Sequence, residues 1–433
     1  MQLGKVLTNL LARRGNLARI FGGSVINQGL LSATNLVAGL ILVRRASPAE
    51  YGYYVLISSA VPLLSQLQVA FINPIMPSRV TVAAPEDRRN FIGSLIREQR
   101  GILRVVPVLG LLIAFLAWAA GAIGTQAAVI WALGSVCSTA WLYREFFRMV
   151  LISYRRPFEI LRADVVFAII LTTGIWLSTL TTTAATISSV ALIIAAVAGG
   201  WLMSHAVWRH EAWNTNGPPG ALAQTIRLGA WAAAGTVIHW LFSQGYTFIV
   251  AGGLSVTAVA AIAATRLLLS PLGVFSMGIV TMMYSTSTLW LKHHGMRGLL
   301  RRVVLFALVM VCIAVTYIAI IWYLRDWIFA HVLKRDYPQR DLLLTIWSMI
   351  FVATVIRDQV IFLPIALGRF KLLAVLTLVC AVLGLSTSFV AIQLYGVAGG
   401  LLGLLVGEVA HVVGVALLTA REMRMHTAAQ AAG

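Results

Sequence analysis

Apolar stretches of about twenty residues recur from one end of the chain to the other, and they restrict its possible folds more than any other feature. They lie at 20–43, 53–77, 103–123, 127–150, 160–180, 184–207, 228–250, 256–285, 303–323, 342–366, 372–392 and 397–419. At 1.5 Å per residue, about twenty helical residues cross the ~30 Å hydrocarbon layer of a bilayer. Lipid offers no partner to a backbone N–H or C=O, so each span must be a helix. Composition agrees. Of 433 residues, 60% are hydrophobic and 11% charged, where a soluble domain carries about a quarter charged. The expectation is an all-α membrane protein with about twelve transmembrane helices.

A basic stretch (Lys5, Arg13, Arg14, Arg19) precedes the first span. That span is too long for the apolar region of a cleaved leader. Arg44-Arg45 follows it without a small-residue cleavage site, so it reads as a retained helix. Within 1–19, Leu3, Val6, Leu7, Leu10 and Leu11 recur at helical spacing beside those cations. Two readings stay open: a short interfacial helix on an anionic leaflet, or a disordered basic tail. Cys137, Cys312 and Cys380 sit inside apolar runs with no metal-ligand spacing, and are expected to pack in the interior.

The formal net charge of +19 would suggest nucleic acid in a soluble chain. Its placement says otherwise. With the N-terminus in the cytoplasm, 25 of the 33 Lys and Arg residues fall in inner segments or the helix ends beside them. Outer segments hold Arg44, Arg45, Arg325, Lys334, Arg335 and Arg340, while Arg266 and Arg357 fall within spans. This positive-inside bias puts both termini inside, favours an even number of spans and explains the charge with no nucleic-acid partner. The expected location is the bacterial inner membrane.

The longest hydrophilic break in mid-chain is 209–227, with Gly217-Pro218-Pro219-Gly220, which cannot continue a helix. It divides an N-lobe (20–208) from a C-lobe (228–420), with a cytoplasmic tail at 421–433. An internal repeat supports the division. ASPAEYGYYVL (46–56) after the first span parallels LSVTAVAAIAA (254–264) after the seventh, each with a serine at the turn and a proline farther on, Pro62 and Pro271. Arg144-Glu145 and Arg156 parallel Arg357-Asp358 and Arg369 at the same twelve-residue interval.

The segment LVRRASPAEYGYYVLISSAVPLL (42–64) resembles the start of the polysaccharide-transporter family, the Wzx-type O-antigen flippases of the multidrug/oligosaccharidyl-lipid/polysaccharide (MOP) exporter superfamily. Ser47-Pro48-Ala49-Glu50-Tyr51-Gly52 matches the turn between that family's first two helices, and Ser255 to Ala260 reads as a degraded second copy. Arg79, Arg144 and Arg148 lie where such proteins carry arginines. The chain departs from many relatives in having twelve spans where they add two more. The resemblance implies two six-helix lobes that rock about a central cavity. It implies as cargo an oligosaccharide on undecaprenyl pyrophosphate, and as partners membrane lipids and a polysaccharide polymerase and ligase. No cofactor is implied.

Ionisable residues inside spans cost several kcal/mol unless they face protein or water, so they are the candidates for function. A pyrophosphate headgroup needs cations, and guanidinium grips phosphate oxygens through paired hydrogen bonds. Arg144, Arg148, Arg266 and Arg357 are therefore the expected headgroup ligands, with Arg79, Asn27 and Gln28 as further substrate contacts. For Arg144 and Arg148 the alternative is snorkelling to lipid phosphates. Glu408 and His411, three apart on one face, and Glu145 and Asp358 are candidates for ion coupling. Adjacent helix positions do not face each other, so Glu145 and Asp358 need not partner the arginines beside them, and the alternative to ion coupling is pairing with a neighbouring helix. Asp164 is expected at the interface, in a structural role. Asn35, His239, Ser243 and Gln244 either line a cavity or bond between helices.

Other classes fit less well. A membrane polymerase or ligase needs a sizeable outer catalytic loop, and the longest outer segment is 324–341, with His331 and Arg335. No phosphate-cradling glycine loop, nucleophile elbow or metal-ligand cluster is present in the sequence. A drug or organic-cation exporter of the same superfamily should have an acidic, aromatic site, whereas the charges within these spans lean basic.

Overall fold

The computed structural model describes residues 2–81 and 83–432, with side chains left undescribed at 1–21, 24, 77, 78, 81, 277, 278, 280–282, 284, 285, 288 and 426–432. The amphipathic face expected within 1–19 lies outside the described side chains. Among the described residues the chain is all helix, with no strand. In order the helices are α1 (Gln2–Arg45), α2 (Pro48–Ile72), α3 (Met76–Thr81), α4 (Pro85–Ala119), α5 (Thr125–Ser153), α6 (Pro157–Ser178), α7 (Ala184–His210) and α8 (Ala221–Gly253). Then come α9 (Val256–Trp327), a π-helical turn (Ile328–Leu333), α10 (Arg340–Val360), α11 (Phe362–Ala366), α12 (Phe370–Tyr395) and α13 (Val397–Ala432).

Every predicted span overlaps a helix, but α1 and α4 begin well before theirs, and the span 53–77 runs past the end of α2 into α3. Two spans, 256–285 and 303–323, lie on α9. At 72 residues a straight α9 would run to roughly 108 Å at 1.5 Å per residue, far beyond a bilayer. Gly295, at φ 64°, breaks it between the two spans, a backbone conformation that glycine adopts without a Cβ clash. Ten helical segments among the described residues are long and apolar enough to cross a membrane. The chain is a multi-pass membrane protein. α5 and α8 are not in that set: α5 carries Arg144, Glu145 and Arg148, and α8 carries Gln224, Arg227, His239 and Gln244.

The chain divides into two compact units. Unit 1 comprises 1–46 and 57–236, and unit 2 comprises 47–56 and 237–433. Both α2 and α8 are shared between them. In unit 1, α7 packs on α5 and α6, α4 on α5, and α1 on α6. Small residues let α7 approach closely: a Cβ added at Gly200 would sit 3.1 Å from the Cα of Arg144. In unit 2, α12 packs on α13 and α10 on both α9 and α13. Gly399, Gly403 and Gly407 recur at four-residue steps along α13, the last two within reach of Gly384 on α12, and Ser388 donates to the Gly400 carbonyl at 2.9 Å. Cys137 and Cys380 are buried as expected, but Cys312 is exposed on α9. Sequence polarity cannot tell a lipid-facing apolar surface from an interior one.

The two parallel turns of the repeat share a local structure. Ser47 Oγ accepts from the Glu50 N–H at 3.2 Å and Ser255 Oγ from the Ala258 N–H at 3.1 Å, so both serines cap the start of their helices. Pro48 stands at the first position of α2, where its missing N–H costs nothing.

The hydrophilic break is an ordered strap on α4, within unit 1. Trp213 is buried and donates to the Val207 carbonyl at 3.1 Å. Ser94 donates to Pro218 O at 2.8 Å, and Arg97 to Thr215 O at 2.9 Å and Gly217 O at 3.0 Å. Glu98 accepts from the N–H groups of Gly220 at 2.6 Å and Leu222 at 2.7 Å, placing a carboxylate on the free donors at the start of α8. Glu211, at the other end of the strap, pairs with Arg88 and accepts from Tyr154 Oη at 2.9 Å.

Candidate functional site

Each unit holds a cluster of arginine and carboxylate side chains inside its helices, and the two are built on the repeated Arg-acid pairs. In unit 1, Arg144 is 0% exposed. Its Nη1 donates to Glu145 Oε1 at 2.9 Å and its Nη2 to Asp164 Oδ1 on α6 at 2.5 Å. Arg148, one turn along α5, lies 3.6 Å from Glu145 Oε1 and 3.4 Å from Asp164 Oδ2. The rings of Phe167 and Trp141 stand 4.3 Å and 5.0 Å from the Arg144 guanidinium carbon. Two cations meet two anions, so the cluster is neutral with all four ionised. Arg144 neither snorkels nor presents a surface to a headgroup in this structure.

In unit 2, Arg357 Nη1 donates to both Glu408 oxygens on α13, at 2.7 Å and 2.9 Å, and its Nη2 donates to Asp358 Oδ1 at 2.9 Å. Ser276 on α9 donates to Asp358 Oδ2 at 3.0 Å. One cation meets two anions here. His411 is buried on α13, with its Nε2 3.4 Å from Thr377 Oγ1. Glu408 and His411 share α13, and Glu408 turns to Arg357.

One open sequence reading is resolved and one expectation corrected. Arg144 pairs with Glu145 and Arg357 with Asp358 although each pair is adjacent on its helix. Neighbouring positions point about 100° apart, but a guanidinium on its long stem reaches around to the next carboxylate. Asp164, expected at the interface, is fully buried and is the shortest contact of Arg144. The signal was available: a single aspartate inside an apolar span faces the same desolvation cost as an arginine there.

Arg266 is different. It is half-buried on α9, its guanidinium carbon 5.4 Å from the Trp347 ring, with no carboxylate paired to it among the described residues. Tyr246 packs edge-on against Trp347 at 6.0 Å. A cavity of about 20 Å³, roughly the room one water needs, is lined by Arg266, Tyr246 and Thr247. This aromatic surround was not read from the sequence, because its members come from α8, α9 and α10. Of the remaining candidates, Arg79 is half-buried with its guanidinium 5.4 Å from the Phe91 ring, Asn27 is buried with Oδ1 unpartnered among the described residues, and Gln28 is exposed. Asn35 and His239 are exposed, and Ser243 and Gln244 half-buried.

No family model and no curated protein sequence matches the chain. Solved structures do. An inward-facing multidrug resistance MATE family transporter of the MOP superfamily superposes with a TM-score of 0.72 at 14% identity, over 94% of this chain and 96% of that one. The lipid II flippase MurJ in an inward closed conformation gives 0.67 at 13% identity, over 92% and 86%. An outward-facing MATE family transporter gives 0.62 at 15% identity, over 95% and 96%. The chain therefore shares the fold of these structures.

Proposed function

We propose that the chain is a flippase. It carries undecaprenyl-pyrophosphate-linked oligosaccharide from the cytoplasmic to the periplasmic leaflet by alternating access, for assembly of cell-surface polysaccharide. Both termini lie in the cytoplasm, following the Lys/Arg distribution. The observation that carries the cargo assignment is Arg266, an arginine within a span that has an aromatic neighbour and no acid partner among the described residues. A cation held in a low-dielectric layer without a counter-charge is costly. A pyrophosphate supplies the missing anion and binds guanidinium through paired hydrogen bonds. Arg144, Arg148 and Arg357 already have carboxylates, so in this reading they hold the helices together and Arg266 holds the headgroup. Likeness in fold to a lipid II flippase supports a lipid-linked cargo.

A second reading is export of an organic cation. It is favoured by the excess carboxylate in unit 2, where Asp358 and Glu408 share one arginine, and by likeness in fold to multidrug transporters. The two readings separate in proteoliposomes loaded with either a fluorescent pyrophosphate-linked oligosaccharide or a quaternary ammonium dye. The flippase reading expects movement of the first cargo, at least tenfold slower in Arg266→Gln while the variant stays folded. Dye transport with no movement of the lipid-linked sugar, or full lipid movement in Arg266→Gln, would overturn it.

A further inference from the structure

One step inward from the strap, unit 1 holds a cavity of about 250 Å³ between α4, α5 and α7. At ~30 Å³ per liquid water it has room for roughly eight waters, enough for a phosphate ester. Its wall mixes apolar rings with polar groups in an uneven way. Arg100 is exposed at its edge, Gln99 forms part of the wall, Tyr143 and Ser204 bring hydroxyls, and Trp208 brings an indole N–H. Phe146 and Leu103 complete an apolar side.

Gln99 is the residue that calls for a ligand. It is 7% exposed. Its Nε2 donates to the Leu142 carbonyl at 3.2 Å. A carbonyl only accepts, so this bond fixes which end of the amide is which. The other end, Oε1, is buried with no partner among the described residues. Leaving such an acceptor unmade costs about 1–3 kcal/mol; because Gln99 lines the cavity, a small turn of its amide would bring the oxygen to a donor bound there and remove that cost. The same wall therefore holds a cation for an anion and, one amide turn away, an acceptor for a donor.

Depth selects the source. On α4 the cavity residues Gln99 and Arg100 follow Ser94, Arg97 and Glu98, which bind the polar strap. One helical turn is 5.4 Å, so the cavity opens just inside the strap. Trp208 lies two residues before the end of α7, and such tryptophans sit at the headgroup level of a bilayer. Arg104, exposed one turn beyond Arg100, extends the basic edge.

We propose that this cavity binds the headgroup of a membrane phospholipid, with Arg100 on the phosphate and Gln99 accepting from a hydroxyl or ammonium of the headgroup. The site is separate from Arg266 and does not depend on the cargo assignment. It recognises a phosphate ester that carries a hydrogen-bond donor. Phosphatidylglycerol and phosphatidylethanolamine qualify; phosphatidylcholine, whose quaternary ammonium has no N–H, does not.

The full-length protein, stripped of lipid in detergent, is titrated with each of the three lipids at matched acyl chains, and binding is read by native mass spectrometry. The expected result is about tenfold tighter binding of the first two lipids than of phosphatidylcholine, with the difference lost in Gln99→Leu. Arg100→Gln weakens phosphatidylglycerol and phosphatidylethanolamine alike. Equal binding of all three lipids by the unmodified protein overturns the proposal and needs no variant to fold. A preference that survives Gln99→Leu also overturns it. Displacement of bound phosphatidylglycerol by free glycerol phosphate at micromolar concentration would assign the cavity to a soluble phosphate ester, and so would overturn the membrane source.

Discussion

A methyl group at position 52 would have no room. A Cβ built on Gly52 lies 2.1 Å from the Val256 carbonyl oxygen, a backbone atom that cannot rotate away. Here the start of α2 meets the start of α9, so the two copies of the repeated turn touch within unit 2. Gly52→Ala must separate these helices, and overpacking of this kind costs about 1–3 kcal/mol or more. Gly235→Ala on α8 is the matched control. Among the described residues nothing lies within 4 Å of its added Cβ, and alanine is favoured over glycine in a helix by about 1 kcal/mol. Thermal unfolding in detergent should show a lower midpoint for the first and an unchanged or higher one for the second. The Arg144 cluster gives a second comparison. Asp164→Asn removes the deepest counter-charge from a guanidinium with no exposure, a change that costs about 3–5 kcal/mol in buried pairs. Glu145→Gln should cost less, since Glu145 keeps some exposure and Arg144 keeps Asp164. Equal midpoints for the two variants would mean that Asp164 does not carry the compensation. The sequence made Arg144, Glu145 and Arg148 legible as charges in an apolar run. It did not give their partners, because the contact between α5 and α6 is set by packing and not by spacing along one helix.

At the scale of elements, the 209–220 strap shows how a segment can be legible as a break and illegible as a structure. Gly217-Pro218-Pro219-Gly220 forbids a helix whatever surrounds it. Its docking goes through the carbonyls of Thr215, Gly217 and Pro218 and the N–H groups of Gly220 and Leu222, groups that any sequence supplies. Glu211 makes the strap sensitive to acid. Burial pushes its carboxyl up, but hydrogen bonds from Arg88 and Tyr154 and the charges of Arg88 and Arg89 outweigh burial and hold it below its ordinary value of 4.5. A carboxyl depressed in the folded state contributes stability that is complete above its unfolded value. That contribution is lost as the pH falls through the folded one. The strap should therefore resist an acid-tolerant protease at pH 7 and become cleavable between 210 and 220 as the pH drops below about 4.5. Glu211→Gln should be cleavable at both pH values. Unchanged protection of that variant at pH 7 would show that the Arg88 pair does not hold the strap.

For the whole molecule, the helical spans were readable because bilayer thickness and backbone satisfaction leave a chain so few choices. The charge stoichiometry of each cluster was not, since it depends on which helices meet. That stoichiometry differs between the units, and the difference carries the last prediction. Fully ionised, Arg357, Asp358 and Glu408 sum to one negative charge, in a layer where an uncompensated charge costs several kcal/mol. A proton or a metal cation restores balance, which is what an ion-coupled transporter requires of a site. The groups within electrostatic reach of Glu408 or of its partner Arg357 are Thr354 and Asp358 on α10, His411 on α13, His239 on α8 and Cys380 on α12. Glu408→Gln leaves one guanidinium with one carboxylate, so it should fold as well as the native protein. Arg357→Gln leaves two carboxylates unpaired and should lose about 3–5 kcal/mol. In proteoliposomes, cargo movement by the native protein should accelerate under an imposed proton or sodium gradient, whereas Glu408→Gln should move cargo at a rate that ignores the gradient. If the variant still responds to the gradient as the native protein does, coupling runs through other groups. If Arg357→Gln proves as stable as Glu408→Gln, the excess negative charge is absent and the argument from stoichiometry fails with it.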